Sequence, residues 1–295
     1  MEILTVENLS KNYGAIKALK NVSFSVPKGT VFGILGPNGS GKTTLLGIVM
    51  DVLKATSGGY KIFGGEPTNT QRKQIGTLLE TPNFYHYLSA VQNLRIAASI
   101  KERGYDDIDR VLEIVNLTAR KNSNFSTYSL GMKQRLAIGS ALLGNPEILV
   151  FDEPTNGLDP VGIAEIRELI KKLSLEGKTI IMASHLLDEV EKVCTHVAIL
   201  KQGNLLTYGD VNEILVNEDL VEVVSADLQH LKNVLSQMKG YTKVDSTDKE
   251  VKLYFPSGTA DLAAVNQFCF NNGIVLSHLQ LKKKSLETKF LELTN

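Results

Sequence analysis

The sequence predicts an α/β domain on a largely parallel sheet, followed by a small α+β domain. Short apolar runs at Val31 to Leu35, Ile148 to Phe151, Thr179 to Met182 and Val197 to Leu200 are mostly separated by helical patterns. That alternation is the mark of a parallel sheet buried on both faces. The chemically loaded residues cluster just past the carboxyl ends of these runs, where open α/β sheets bind ligands. Near residue 217 the pattern changes to half-buried strands and short helices.

Taken in order, Ile3 to Val6 and Val22 to Val26 read as short strands, Val31 to Leu35 as a buried strand ended by Gly36, and Leu45 to Val52 as a helix. Residues 84–145 are mostly helical in pattern, with a break at Gly104-Tyr105-Asp106. Past the composition change, Leu220 to Val224 is strand-like, and Asp227 is placed to cap a helix carrying Leu228, Leu231, Leu235 and Met238. Val251, Leu253 and Phe255 alternate with Lys252 and Tyr254 as in a half-buried strand. Leu262, Val265, Phe268 and Cys269 mark another helix, with Gly273 near its end. Ile274 to Leu281 alternates again, and Ser285 is placed to start a last helix carrying Leu286, Phe290 and Leu293. The expected domains are residues 1–216 and 217–295. The run Lys282-Lys283-Lys284 reads as a solvated strand end, with a lipid-phosphate contact as the lesser reading.

Bulk properties narrow the function. In 295 residues, 32 Lys+Arg balance 32 Asp+Glu, which argues against a general nucleic-acid binder. Cys194 and Cys269 are far apart and lack metal-ligand spacing, so they read as small buried hydrophobes. The first residues lack a basic stretch followed by an apolar one, the pattern of a signal peptide. No run approaches the ~18 apolar residues of a membrane span, so any membrane part is expected on another chain.

Gly36-Pro37-Asn38-Gly39-Ser40-Gly41-Lys42-Thr43 matches the phosphate-binding loop, between an apolar strand and a helix. Its glycines let successive N–H groups turn toward phosphate oxygens, and the helix start adds partial positive charge. Lys42 is expected to reach the β- and γ-phosphates, Thr43 to ligate Mg²⁺ and Thr44 to touch the α-phosphate side. Asp152 and Glu153 end an apolar strand. Adjacent carboxylates there suggest work on a cation and on a water proton, with Asp152 holding Mg²⁺ and Glu153 acting as the base.

Ser129-Leu130-Gly131-Met132-Lys133-Gln134-Arg135 resembles the signature sequence of ATP-binding-cassette (ABC) proteins, with Leu130 in place of the usual first glycine. The resemblance covers about residues 2–215, with the motifs in the family's order. It implies a RecA-like core with an antiparallel β part and a helical subdomain around 84–145. It implies that Tyr13 stacks on adenine, that Ser129 and Gly131 grip a γ-phosphate, that Gly157-Leu158-Asp159-Pro160 signals between two ATP sites, and that His185 contacts the γ-phosphate. No role attaches to His86, His196, His230 or His278. In this family two cassettes pair head-to-tail, each ATP lying between the loop of one and the signature of the other. The partners implied are a second cassette, identical or a paralogue, and membrane permease subunits, with the chain cytoplasmic and peripheral on the inner membrane face.

Glu80 stands where the family has glutamine, as in the bacitracin- and lantibiotic-resistance type. It is expected to ligate Mg²⁺ or orient water, though an ionised carboxylate donates no hydrogen bond. Phe84, Tyr85, Tyr87 and Leu88 sit where relatives meet the permease, and local packing of the helical subdomain is the competing reading. The C-terminal ending resembles drug- and peptide-export cassettes, its role being dimer stabilisation or regulation. The expected function is ATP hydrolysis powering a separate permease for export of antimicrobial peptides or drugs. The alternatives are a soluble ABC ATPase of translation or DNA repair, and a nucleotide-gated module without catalysis. A single cassette without heptads, and the presence of Glu153 and His185, weigh against them.

Overall fold

A computed structural model describes the chain except residues 80–82, 216–217, 257, 283–285 and 295. The Glu80 position, Lys283, Lys284 and the Ser285 helix start therefore lie outside the described residues. The elements in chain order are β1 (Glu2–Tyr13), β2 (Ile16–Pro27), β3 (Val31–Leu35), α1 (Lys42–Val49), β4 (Ser57–Ile62), α2 (Asn69–Lys73), β5 (Ile75–Leu78), α3 (Ala90–Lys101), α4 (Ile108–Ile114), α5 (Leu130–Leu142), β6 (Ile148–Asp152), α6 (Pro160–Leu175), β7 (Thr179–Ser184), α7 (Leu187–Glu191), β8 (His196–Lys201) and β9 (Asn204–Asp210). There follow α8 (Val211–Leu215), β10 (Glu218–Ser225), α9 (Leu228–Leu235), β11 (Lys243–Ser246), β12 (Val251–Pro256), α10 (Leu262–Asn271), β13 (Leu276–Lys282) and α11 (Leu286–Thr294). The chain divides into Met1–Val211 and Asn212–Asn295.

The first unit holds a six-stranded sheet of order β5-β6-β7-β3-β8-β9 and a three-stranded sheet of order β2-β1-β4. Strands β5, β6, β7, β3 and β8 run parallel, and β9 closes the edge antiparallel to β8. β3, β6 and β7 are buried at every residue, which is why their sequences are continuous apolar runs rather than alternations. β1 and β2 extend well past the short strands read from the sequence, because register shifts let polar residues continue the pairing. α1 starts three residues before the predicted Leu45 and stops at Val49, where Met50 ends the helical geometry. The 84–145 region contains α3, α4 and α5. Glu102 and Gly104 turn the chain with positive φ between the first two, at the predicted break.

The second unit follows a β-α-β-β-α-β path with sheet order β11-β12-β10-β13, all pairs antiparallel. This is the ferredoxin-like split pattern. Val221, Val223, Val251, Leu253 and Phe255 pack against Leu231, Leu235, Val265 and Cys269 of α9 and α10. Asp227 caps α9 through its side chain, which accepts from the His230 N–H at 2.9 Å. On alternate positions of the sheet, Glu222 is buried and ion-paired to Lys282 at 2.7 Å and to Lys252 at 3.8 Å.

Candidate functional site

Register places the site. Leu35 of β3 pairs with Ser184 of β7, and Asp152 of β6 pairs with Ala183 of β7. Gly36, Glu153 and His185 therefore leave three neighbouring parallel strands at the same end of the sheet. Gly36 and Gly41 make the loop geometry possible. Their φ values are 154° and 107°, and a Cβ would lie 2.3 Å from Leu200 O at the first and 2.6 Å from Ala18 O at the second. No other residue type fits either place without displacing backbone.

The loop closes back on itself around Lys42. This side chain is 6% exposed, and its Nζ donates to Gly36 O at 2.8 Å and to Pro37 O at 3.4 Å. α1 begins at Lys42 with no side-chain cap, so its first N–H groups face outward with the helix dipole behind them. Ser40 is 1% exposed, and its Oγ has no hydrogen-bond partner among the described residues. A buried, unmatched hydroxyl beside a lysine and an uncapped helix start is a donor set that a polyphosphate chain satisfies. Residues 38–44 form one wall of a cleft of about 600 Å³.

Glu153 is held in the left-handed region, φ 49°, with its N–H donating to Ala183 O at 3.0 Å. A non-glycine residue there is strained, and such strain concentrates at working positions. One carboxylate oxygen lies 3.4 Å from Lys42 Nζ and the other 2.9 Å from His185 Nδ1. Asp152, one residue earlier, is 4% exposed.

The structure brings together residues 36–44, Asp152, Glu153 and His185. Among the described residues of the expected set, Tyr13, Ser129, Gly131 and Asp159 do not line the cleft. Ser129 caps α5, its Oγ accepting from the Met132 N–H at 3.3 Å, and a Cβ on Gly131 would meet nothing within 4 Å. Leu130 is 46% exposed and rests near Gly157, where a Cβ would be 3.3 Å from its Cδ2. Asp159 caps α6 by accepting from the Gly162 N–H at 2.8 Å. Tyr13 ends β1, exposed, with Lys11 Nζ 4.9 Å from its ring centroid, while its hairpin neighbours Ile16, Lys17 and Ala18 line the cleft. Of the aromatic stretch, Phe84 packs edge-on to Phe125, whereas Tyr85 and Tyr87 contact each other and stay exposed.

Sequence reading missed Lys17, Lys20 and Gln202 as cleft residues. No motif marks them. They arrive because Lys20 N–H donates to Gly203 O at 2.8 Å and Gly203 N–H to Ser40 O at 3.0 Å, which stitches β2 and the β8–β9 turn to the loop.

A phosphate loop on a parallel sheet, with a carboxylate and a histidine at the next strand ends, defines a nucleotide-binding ATPase core. Residues 19–156 match the ABC transporter family model. The bacitracin transport ATP-binding protein BcrA of Enterococcus faecalis is 33% identical, over 99% of this chain and 96% of that protein. The lantibiotic transport ATP-binding protein SrtF of Streptococcus pyogenes is 38% identical, over 69% of this chain and 89% of that protein. Among solved structures, cbiO1 of Clostridium perfringens, part of an ABC transporter complex, superposes with TM-score 0.66 at 29% identity, covering 80% of this chain and 96% of its own. The dimeric post-hydrolysis state of the cassette MJ0796 bound to ADP and Pi gives TM-score 0.63 at 28% identity, covering 70% of this chain and 98% of that one. The chain belongs to the ABC transporter family as an ATP-binding, ATP-hydrolysing subunit. Among the described residues, no helix is long and apolar enough to cross a membrane.

Proposed function

We propose that this subunit drives a separate membrane permease exporting antimicrobial peptides of the bacitracin or lantibiotic kind. The observation that carries the catalytic part is the Glu153 carboxylate suspended between Lys42 and His185. Lys42 and the N–H groups at the start of α1 hold the β- and γ-phosphates, and Thr44 faces the α-phosphate. Glu153 accepts a proton from the attacking water, and His185 orients that carboxylate and contacts the γ-phosphate. The Thr43 hydroxyl and the Asp152 carboxylate are hard oxygen donors of the kind Mg²⁺ takes together with phosphate oxygens. When bound, the ion offsets charge on the phosphates during transfer.

Ser129 and Gly131 lie outside the cleft lined by residues 38–44. This favours a second cassette supplying them across a head-to-tail pair, with Asp159 at the contact and Tyr13 stacking on the base. The dimeric ADP-bound relative and the bacitracin and lantibiotic relatives support the reading. Exposed Tyr85 and Tyr87 are the proposed permease contact.

The test pairs purified protein with cells. Lys42→Ala should abolish ATP binding, and deletion of the gene with its permease should sensitise cells to bacitracin-type peptides. Full ATP affinity in Lys42→Ala sinks the site assignment, while unchanged peptide tolerance sinks the cargo.

A further inference from the structure

Three lysines and one glutamate line the cleft: Lys17, Lys20, Lys42 and Glu153. Lys42 is already matched, lying 3.4 Å from Glu153 and bonded to two loop carbonyls. Lys17 and Lys20 have no carboxylate or hydrogen-bond partner for their ammonium groups among the described residues. Two positive charges therefore stand uncompensated on the β2 wall. That wall is fixed, because Ala18 O abuts Gly41 and Lys20 N–H is bonded into the Gly203 turn that holds Ser40.

We propose that Lys17 and Lys20 are a capture site that makes the first contact with the phosphates of an incoming nucleotide, before Lys42 leaves Glu153. The idea rests on the ATP-site reading above. Charge in a cleft with low-dielectric walls focuses the field and raises the on-rate of an anion, in a salt-dependent way. Lys42 cannot supply that field while Glu153 neutralises it. Binding then proceeds in two stages. The phosphates meet Lys17 and Lys20, and Lys42 next exchanges the Glu153 carboxylate for phosphate oxygens. That exchange releases Glu153 toward water.

Stopped-flow fluorescence with a fluorescent ATP analogue tests this on the full chain across ionic strength. The Lys17→Gln/Lys20→Gln variant should associate about tenfold more slowly at low salt. Its rate should also depend less steeply on salt, and its dissociation rate should change less than its association rate. Lys17→Arg/Lys20→Arg should keep the wild-type rate and slope. The single Lys17→Gln change, at an exposed position, should show a partial loss if the double variant is unstable. Wild-type association and salt slope in the glutamine variants would overturn the proposal, as would equal losses in the arginine variant. Either result with intact wild-type binding sinks capture alone, whereas a wild-type chain that takes up no nucleotide sinks the ATP-site reading as well.

Discussion

His185 presents Nδ1 to one oxygen of Glu153 at 2.9 Å, while the other oxygen of the same carboxylate faces Lys42 at 3.4 Å. The acid is thus fixed from two sides by residues that belong to different strand ends, and its own backbone is held at φ 49°.

Replacing that carboxylate by an amide keeps the size and the contact to Lys42 but removes the proton acceptor. Glu153→Gln should bind ATP with affinity near wild type and lose about 10²–10⁴-fold in hydrolysis. Equilibrium binding and phosphate release measure the two separately. Turnover within a few-fold of wild type would remove Glu153 from the base role.

The loop glycines are expected to fail for steric reasons alone. Gly41→Ala places a methyl group 2.6 Å from Ala18 O on a backbone at φ 107°. It should destabilise the chain by about 1–3 kcal/mol and lower nucleotide affinity with it. Gly177→Ala, at φ 85° with open space around it, should carry only the backbone strain. Thermal unfolding of the pair separates clash from strain, and equal losses would contradict the contact.

Lys101 gives a pH signature. Burial, and secondarily the neighbouring Arg103, bring its pKa down from 10.5 to about 8. A lysine whose folded pKa is lowered disfavours the folded state while it is charged. The unfolded chain then binds more protons, and stability rises with pH between about 8 and 10.5. Lys101→Met should remove that rise, worth roughly 2–3 kcal/mol. The difference between the wild-type and variant unfolding free energies, followed from pH 7 to 10.5, measures it, and a flat difference would refute the shift.

In the second unit the buried partner of the ion cluster is the acid. Glu222 is 5% exposed, and Lys252 and Lys282 reach it from the adjacent strands. Lys252→Met/Lys282→Met should strand a buried carboxylate and cost about 3–5 kcal/mol. Glu222→Met should cost much less, since both lysines can turn to water. Chemical denaturation of the three proteins gives the ranking, and the reverse order would show that the lysines are the buried members.

Much of this molecule was legible in the sequence. Residues 36–43 specify their own conformation, because glycine-only backbone angles and an uncapped helix start are local properties. The buried strands β3, β6 and β7 announced themselves by continuous apolar runs, and Asp227 by its cap position. The full length of the β1–β2 hairpin and the edge strand β9 were not legible. Their polar residues follow no single period, and pairing rather than composition decides them.

The sequence by itself marked residues 36–44 and Glu153 as the proposed phosphate-holding and proton-accepting groups, because such capacities reside in single side chains and in short loops. Only the tertiary structure decided who faces whom. The order β6-β7-β3 sets Glu153 between Lys42 and His185, and the Gly203 turn brings Lys17 and Lys20 to the loop, across separations in the chain that no local pattern spans. The physical reason is that register and strand order are fixed by burial of whole sheet faces, a collective property of the sheet that no short segment carries alone.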